Sequence, residues 1–290
     1  MSVPLVAFFN NKGGVGKTTL LYHVSCMLND LGVDSVVMDL DPQANLSSCF
    51  LEDERLEELW DHGRTVFGCI RPVLRGIGDV ADPHPVAVAD HLTLVVGDLN
   101  LSQFEDKLSQ HWPGCLDRKE DSFRVLSAFW RIAQRAAEAE EARLVLVDLG
   151  PNLGALNRAA LVSCDSVVIP MGPDLFSLRA LQNVGPTLRE WRRDWADRVP
   201  RNPEPEQLAL PTGQMRPVGY VLMQHSERLD RPVQAYQRWI GRIPEAYARE
   251  VLGEPSWAPS VREDPNCLAL LKHYRSLVPM GQEARKPIFA

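Results

Sequence analysis

The stretch that most limits what this chain can fold into is Lys12-Gly13-Gly14-Val15-Gly16-Lys17-Thr18-Thr19. It follows a short apolar, β-prone run, residues 3–9, in which Pro4 is tolerable only near a strand start. Behind it Leu20, Leu21, Val24, Met27, Leu28 and Leu31 recur at helical spacing, and Gly32 is a natural stop. Strand, glycine loop and helix in that order aim free N–H groups and the positive helix end at an anion. The usual phosphate-binding loop reads G-x-x-x-x-G-K-[ST]. Here Asn11 takes the first glycine position and Lys12 follows it. Gly13, Gly14, Val15, Gly16 and Thr19 are expected to cradle phosphates with Lys17 and Thr18. Lys17 carries positive charge to the β/γ-phosphates of a nucleotide, and Thr18 offers a hydroxyl to Mg2+. One lysine suffices for that task, so Lys12 calls for a separate explanation.

The rest of the pattern predicts an α/β fold. Short apolar runs at 33–40, 92–96, 144–147, 167–169 and 218–223 alternate with helical patterns. That alternation implies a mostly parallel twisted sheet with helices on both faces. Ligands of such sheets bind at the carboxyl ends of the strands. The loop at 10–17, the acids at 39–41 and Asp148 all fall at such ends. We expect one domain over 1–290, with a helical and loop segment at about 51–143 and a helical C-terminal region at about 225–290. A helix is predicted over 122–142, with Phe123, Leu126, Phe129 and Trp130 on its apolar side. Five prolines between 200 and 217 mark a surface excursion.

Asp39-Leu40-Asp41-Pro42-Gln43-Ala44-Asn45 follows the second strand, and alternation places Asp39 and Asp41 on one side. One carboxylate could hold a magnesium-bound water and the other orient the water that attacks a γ-phosphate. Both could instead cap the following helix. Asp148, after Leu144-Val145-Leu146-Val147, is placed to support the magnesium, and Gly150, Pro151 and Gly154 suit a backbone that moves when a γ-phosphate leaves.

Composition narrows the class. No apolar run approaches the roughly 18 residues of a membrane span, and the first strand begins too early for a signal peptide. The six cysteines form no C-x-x-C pair, so neither a zinc nor an iron–sulfur site is expected, and reduced cytoplasmic thiols are. Net charge is −7. Residues 1–185 hold 15 Lys and Arg against 25 Asp and Glu, while residues 186–290 hold 16 against 13. A surface for an anionic polymer therefore belongs in the last third. There Arg231, Arg238, Arg242 and Arg249 fall within about 40° of one another on a helix, opposite an apolar stripe of Tyr236, Ile240, Ile243, Tyr247 and Val251. Arg189, Arg192 and Arg193 form a second set beside Trp191 and Trp195. Each set reads either as a DNA-facing patch or as solvated arginines over a core-facing stripe.

Lys12–Thr19, Asp39–Asn45, Leu92–Leu101, Leu144–Gly154 and Ser166–Leu181 together resemble the ParA/MinD family of deviant Walker A P-loop ATPases, the ParA partition ATPases most closely. The resemblance implies a slow, partner-stimulated ATPase using ATP and Mg2+. It implies that Lys12 reaches across an ATP-dependent homodimer to the partner's phosphates, where two facing triphosphates concentrate negative charge. It also implies that Asp41 positions the attacking water, that a ParB-like protein stimulates turnover and that the dimer binds DNA nonspecifically. Three departures qualify it. Asp148-Leu149-Gly150-Pro151 stands where the family often has Asp-x-Pro-Pro. No helix-turn-helix region precedes the first strand, so operator binding is not expected. The C-terminal nonapeptide is too short and proline-broken for a MinD-like membrane helix. Two other readings stay open: a nucleotide-gated subunit of a conjugation or defence system without DNA binding, and a metabolic ligase or kinase on the same sheet.

Overall fold

The computed structural model describes residues 2–225, 239–255, 260–272, 281 and 284–289. Its centre is an eight-stranded sheet: β1 (Leu5–Phe8), β2 (Ser35–Asp39), β3 (Val86–Ala89), β4 (Leu92–Val95), β5 (Leu144–Asp148), β6 (Ser166–Met171), β7 (Arg216–His225) and β8 (Cys267–Lys272), in the order β3-β4-β2-β5-β1-β6-β7-β8. Every pairing is parallel except that of edge strand β3 with β4.

The strands read as continuous apolar runs because both faces are covered. Period-two alternation divides them. Ala7, Phe9, Val36, Met38, Val145 and Val147 enter one core. Phe8, Val37, Leu146 and Val168 enter the other, with Leu20 and Leu21 of helix α1 (Lys17–Asp30). The first core is filled from above by α5 (Glu105–Gly114), α6 (Glu120–Leu126), α7 (Ala128–Ala139), α8 (Ala155–Val162) and α9 (Leu175–Arg198). Short helices α2 (Asn45–Phe50), α3 (Asp53–Asp61) and α4 (Val66–Arg75) follow β2. A short helix α10 (Ile243–Tyr247) runs into a π turn at Ala248–Leu252. Among the described residues no helix is long and apolar enough to cross a membrane.

The structure corrects three sequence expectations. The helix foreseen over 122–142 is two helices, α6 and α7, which part at Ser127. Its hydroxyl donates back to the Phe123 carbonyl at 2.7 Å, a local bond that competes with helix propagation. The C-terminal region is not helical throughout: β8 extends the sheet beside β7. Edge strand β3 was not foreseen, because only four residues, Val-Ala-Val-Ala, carry its half-exposed alternation.

An aromatic cluster joins the 51–143 segment to the rest. Trp112 stacks on Trp195 at 6.0 Å between centroids, and the Arg158 and Arg198 guanidinium groups each lie 4.2 Å from the Trp112 ring centre. Trp195 is fully buried and donates from Nε1 to the Pro211 carbonyl at 2.9 Å. Trp195→Ala leaves a cavity on one side of that stack. It is expected to lower stability by about 3–5 kcal/mol, read as an earlier urea-unfolding midpoint.

Candidate nucleotide-binding site

The carboxyl ends of β1, β2 and β5 and the start of α1 meet around a cavity of about 590 Å³. Gly13, Gly14, Gly16, Lys17, Thr18, Thr19, Asp41 and Pro151 line it, joined by Gln43, Asn45, Ser48 and Cys49 of the β2–α2 segment. The sequence reading missed that second group; its signal was proximity to Asp41 along the chain.

The glycine loop has its shape for identifiable reasons. Asn10 is fully buried; its Nδ2 donates to the Pro170 carbonyl at 2.8 Å and its Oδ1 accepts from the Lys12 N–H at 2.9 Å. That ties the loop to β6. Gly14 and Gly16 have φ of 71° and 85°, left-handed values costly to any residue with a Cβ. A Cβ at Gly16 would also lie 3.0 Å from Met223 Cε. Helix α1 starts with no side-chain cap and no acid in its first turn. Its positive end thus points at the cavity with no side chain capping its backbone N–H groups.

The acids divide by position. Thr18 Oγ1 donates to Asp148 Oδ2 at 2.8 Å, so its lone pairs remain available to a cation. Asp148 Oδ1 is buried with no partner. A hydroxyl oxygen beside an orphaned carboxylate oxygen fits a hard cation such as Mg2+. Among the described residues no three His, Cys, Asp or Glu side chains gather around one ion-sized site, so such a cation would take most of its ligands from phosphate and water. Asp41 is nearly buried at 7% exposure, faces the cavity and accepts from the Gln43 N–H at 3.0 Å.

Asp39 does not line the cavity. Its Oδ2 accepts from the Ser47 N–H at 2.9 Å and the Ser47 hydroxyl at 2.8 Å, and its Oδ1 from the Asp41 N–H at 3.2 Å. It therefore fastens α2 to the end of β2. Asp39 and Asp148 are register partners on adjacent strands. Burial, and then the Asp39 charge, push the Asp148 carboxyl upward; burial raises Asp39 too, against the two Ser47 bonds. Lys17, 7% exposed, is lowered by burial and held up by the charges of Asp148 and Asp41. The site is a cluster of carboxylates around a buried lysine, short of positive charge.

Lys12 points elsewhere. Its Nζ lies 2.6 Å from Asp174 Oδ2 and 5.8 Å from the ring centre of Phe176, which is 71% exposed. Asp174 also caps α9 by accepting from the Ser177 N–H at 3.0 Å.

The arginines are dispersed. Arg231 and Arg238 lie outside the described residues. Arg242 packs over Trp239 at 5.5 Å, and Arg249 pairs with Glu245 at 3.1 Å and Glu250 at 2.9 Å. Ile243, Tyr247 and Val251 are buried, as the apolar stripe requires. In the second set Arg189 donates to the Glu250 and Val251 carbonyls and Arg192 to that of Met215. Those two are internal ties, not a patch.

A family model described as an AAA domain matches residues 3–199. The sporulation initiation inhibitor protein Soj of Bacillus subtilis is 28% identical over 188 residues, which is 64% of each chain. The chain belongs to the ParA/MinD family of P-loop ATPases. It spans under two thirds of Soj's length. Among solved structures, protein DIP2308 of Corynebacterium diphtheriae is similar over 97% of both chains, with a TM-score of 0.76 and 25% identity. A putative plasmid partition protein of Borrelia burgdorferi bound to AMPPNP has a TM-score of 0.61 over 98% of this chain and 90% of its own, at 17% identity, a likeness of fold. Of the sequence-predicted residues, Gly13, Gly14, Gly16, Lys17, Thr18, Thr19 and Asp41 line one cavity, Asp148 stands behind Thr18 by a hydrogen bond, and Val15 and Asp39 are buried outside the lining.

Proposed function

We propose that this chain is an ATP-dependent dimerising switch of the ParA type. It hydrolyses ATP slowly in the cytoplasm, under stimulation by a ParB-like or other protein, to segregate or position DNA or another cargo. The observation that carries the reading is the convergence on one cavity of Lys17, Asp41 and a Thr18 hydroxyl pinned to Asp148. The AMPPNP bound by the Borrelia relative supports a nucleotide as the ligand.

The residues divide the work. The loop backbone and the uncapped end of α1 bind phosphate, and Lys17 adds charge to the β/γ-phosphates. Thr18 and, behind it, Asp148 would hold Mg2+, which when bound neutralises charge on the β- and γ-oxygens. Asp41 orients the water in line with the γ-phosphate. Release of phosphate from ATP turned over with magnesium is the direct test; no release above buffer would refute the enzyme reading.

Lys12 is the cross-dimer residue in this account. To reach a partner's phosphates it must leave Asp174. Both side chains are partly exposed, so the pair holds by only about 0–1 kcal/mol. A triphosphate across the interface outbids it easily. Lys12→Ala is expected to bind ATP within about threefold of wild type and to stay monomeric with it, whereas loss of an interaction made to the chain's own nucleotide would raise the dissociation constant. Normal dimerisation of that variant in sedimentation would contradict the role.

For DNA, four phosphate contacts would give a log–log salt slope of about −3.6. Retention on nonspecific duplex is expected only with ATP and to fall with salt; binding without ATP, or unaffected by salt, would contradict it. A second reading, a nucleotide-gated subunit without DNA binding, draws on one observation: Arg249 is engaged by Glu245 and Glu250. Absence of any DNA retention by an ATP-bound dimer would favour it.

A further inference from the structure

The loop that follows Asp148 is gripped from behind by two side chains outside the phosphate-binding motif. Asn157, on α8, is fully buried. Its Nδ2 donates to the carbonyls of Gly150 and Asn152, each at 2.8 Å, while its Oδ1 has no partner. The side chain acts here purely as a donor. Glu105, the first residue of α5, accepts from the N–H of Ala155 with one carboxylate oxygen and, at 2.7 Å, from the N–H of Leu156 with the other. It thereby anchors the start of the helix that carries Asn157. The fit is close: a Cβ at Gly154 would come 2.5 Å from Glu105 Oε1.

The front of the same loop forms part of the site. A Cβ at Gly150 would lie 3.2 Å from Asp41 Oδ1, so Gly150 stands beside that carboxylate with no side chain between them. Pro151 lines the cavity and approaches Gly13. Between the Asn157 amide and the Asp41 carboxylate stands little more than the Gly150 residue itself. A buried amide is costly unless its donors are used, and the two carbonyls it serves would otherwise lose their partner. The loop it fixes has the two glycines, 150 and 154, that leave the backbone least restrained.

We propose that Asn157 is a positioning residue for ATP hydrolysis. Its amide fixes Gly150–Asn152 so that Gly150 sets the place of the Asp41 carboxylate, and Glu105 holds α8, and through it Asn157, in register. Movement of α5 therefore reaches the hydrolytic carboxylate through one carboxylate-to-helix contact and one amide. The inference rests on the reading of Asp41 as the group that orients the attacking water.

The test separates binding from chemistry. Wild type, Asn157→Ala, Glu105→Ala and Glu105→Gln are compared in full-length form for AMPPNP affinity, for single-turnover ATP cleavage with magnesium, and for thermal melting. Asn157→Ala is expected to slow cleavage by about 10- to 100-fold, the effect of misplacing a catalytic group by an ångström or so. Its AMPPNP affinity should stay within about threefold, since the loss lies in the transition state alone. Glu105→Ala, at a half-buried surface position that tolerates substitution better, is expected to slow cleavage in the same direction. Glu105→Gln keeps an acceptor oxygen for α8 and should recover most of the rate. Unchanged cleavage in both alanine variants, with wild type active, would overturn the positioning role alone. So would a loss of affinity and melting temperature in step with the rate, which marks a structural part only. A wild-type chain that binds AMPPNP yet never cleaves ATP would overturn the hydrolytic reading and this role with it.

Discussion

Lys17→Ala is expected to weaken ATP binding by about 10²- to 10³-fold, the cost of removing one partner from a buried, hydrogen-bonded charge pair. Two effects combine. The ammonium that meets the β/γ-phosphates is gone, and the neighbouring carboxylates of Asp148 and Asp41 lose the buried cation beside them. Incoming phosphate would then face negative charge without an answering positive one. Lys17→Gln, which preserves length and hydrogen bonding but not charge, should recover little. Titration of either variant with a fluorescent ATP analogue checks this; affinity within threefold of wild type would show that Lys17 does not touch the nucleotide.

Asp41→Ala should act on the opposite side of the reaction. ATP affinity should hold, while single-turnover cleavage falls by about 10²- to 10³-fold, within the range for loss of a positioned carboxylate base. The environment of this carboxylate fits the task. It faces the cavity, has one backbone donor in Gln43 and lies beside the side-chain-free Gly150, so an oxygen remains for a water. Because cleavage is what parts the dimer in this account, the variant should also accumulate as an ATP-bound pair. Unchanged turnover would remove Asp41 from the mechanism and pass the role to another group at the cavity.

The pieces that the fold brings to the cavity were legible because they are local. A left-handed glycine loop, an acid at a strand end and a threonine at a helix start are each set by neighbours along the chain, and a parallel sheet gathers strand ends at one edge. The parts that escaped depend on contacts distant in sequence. Asp39 and Asp41 alternate onto one side of an extended chain, yet the chain turns at Pro42, and Ser47 and Gly97 close over Asp39. Nothing local distinguishes the acid that reaches the cavity from the one that pins α2. Asn157 and Glu105 lie 52 residues apart and meet only through α8. The arginines at 189 and 192 read as a DNA-facing patch or as solvated side chains; they are tied to carbonyls that other elements bring alongside. Edge strands β3 and β8 were missed because half-exposed alternation over four to six residues is a weak signal beside a buried run.

The most direct test of the account is the mass of the Asp41→Ala chain in sedimentation equilibrium with saturating ATP and magnesium, beside the same sample without nucleotide. The expected mass is 32.5 kDa without ATP and twice that with it. A single-chain mass under both conditions, with ATP demonstrably bound, would contradict it.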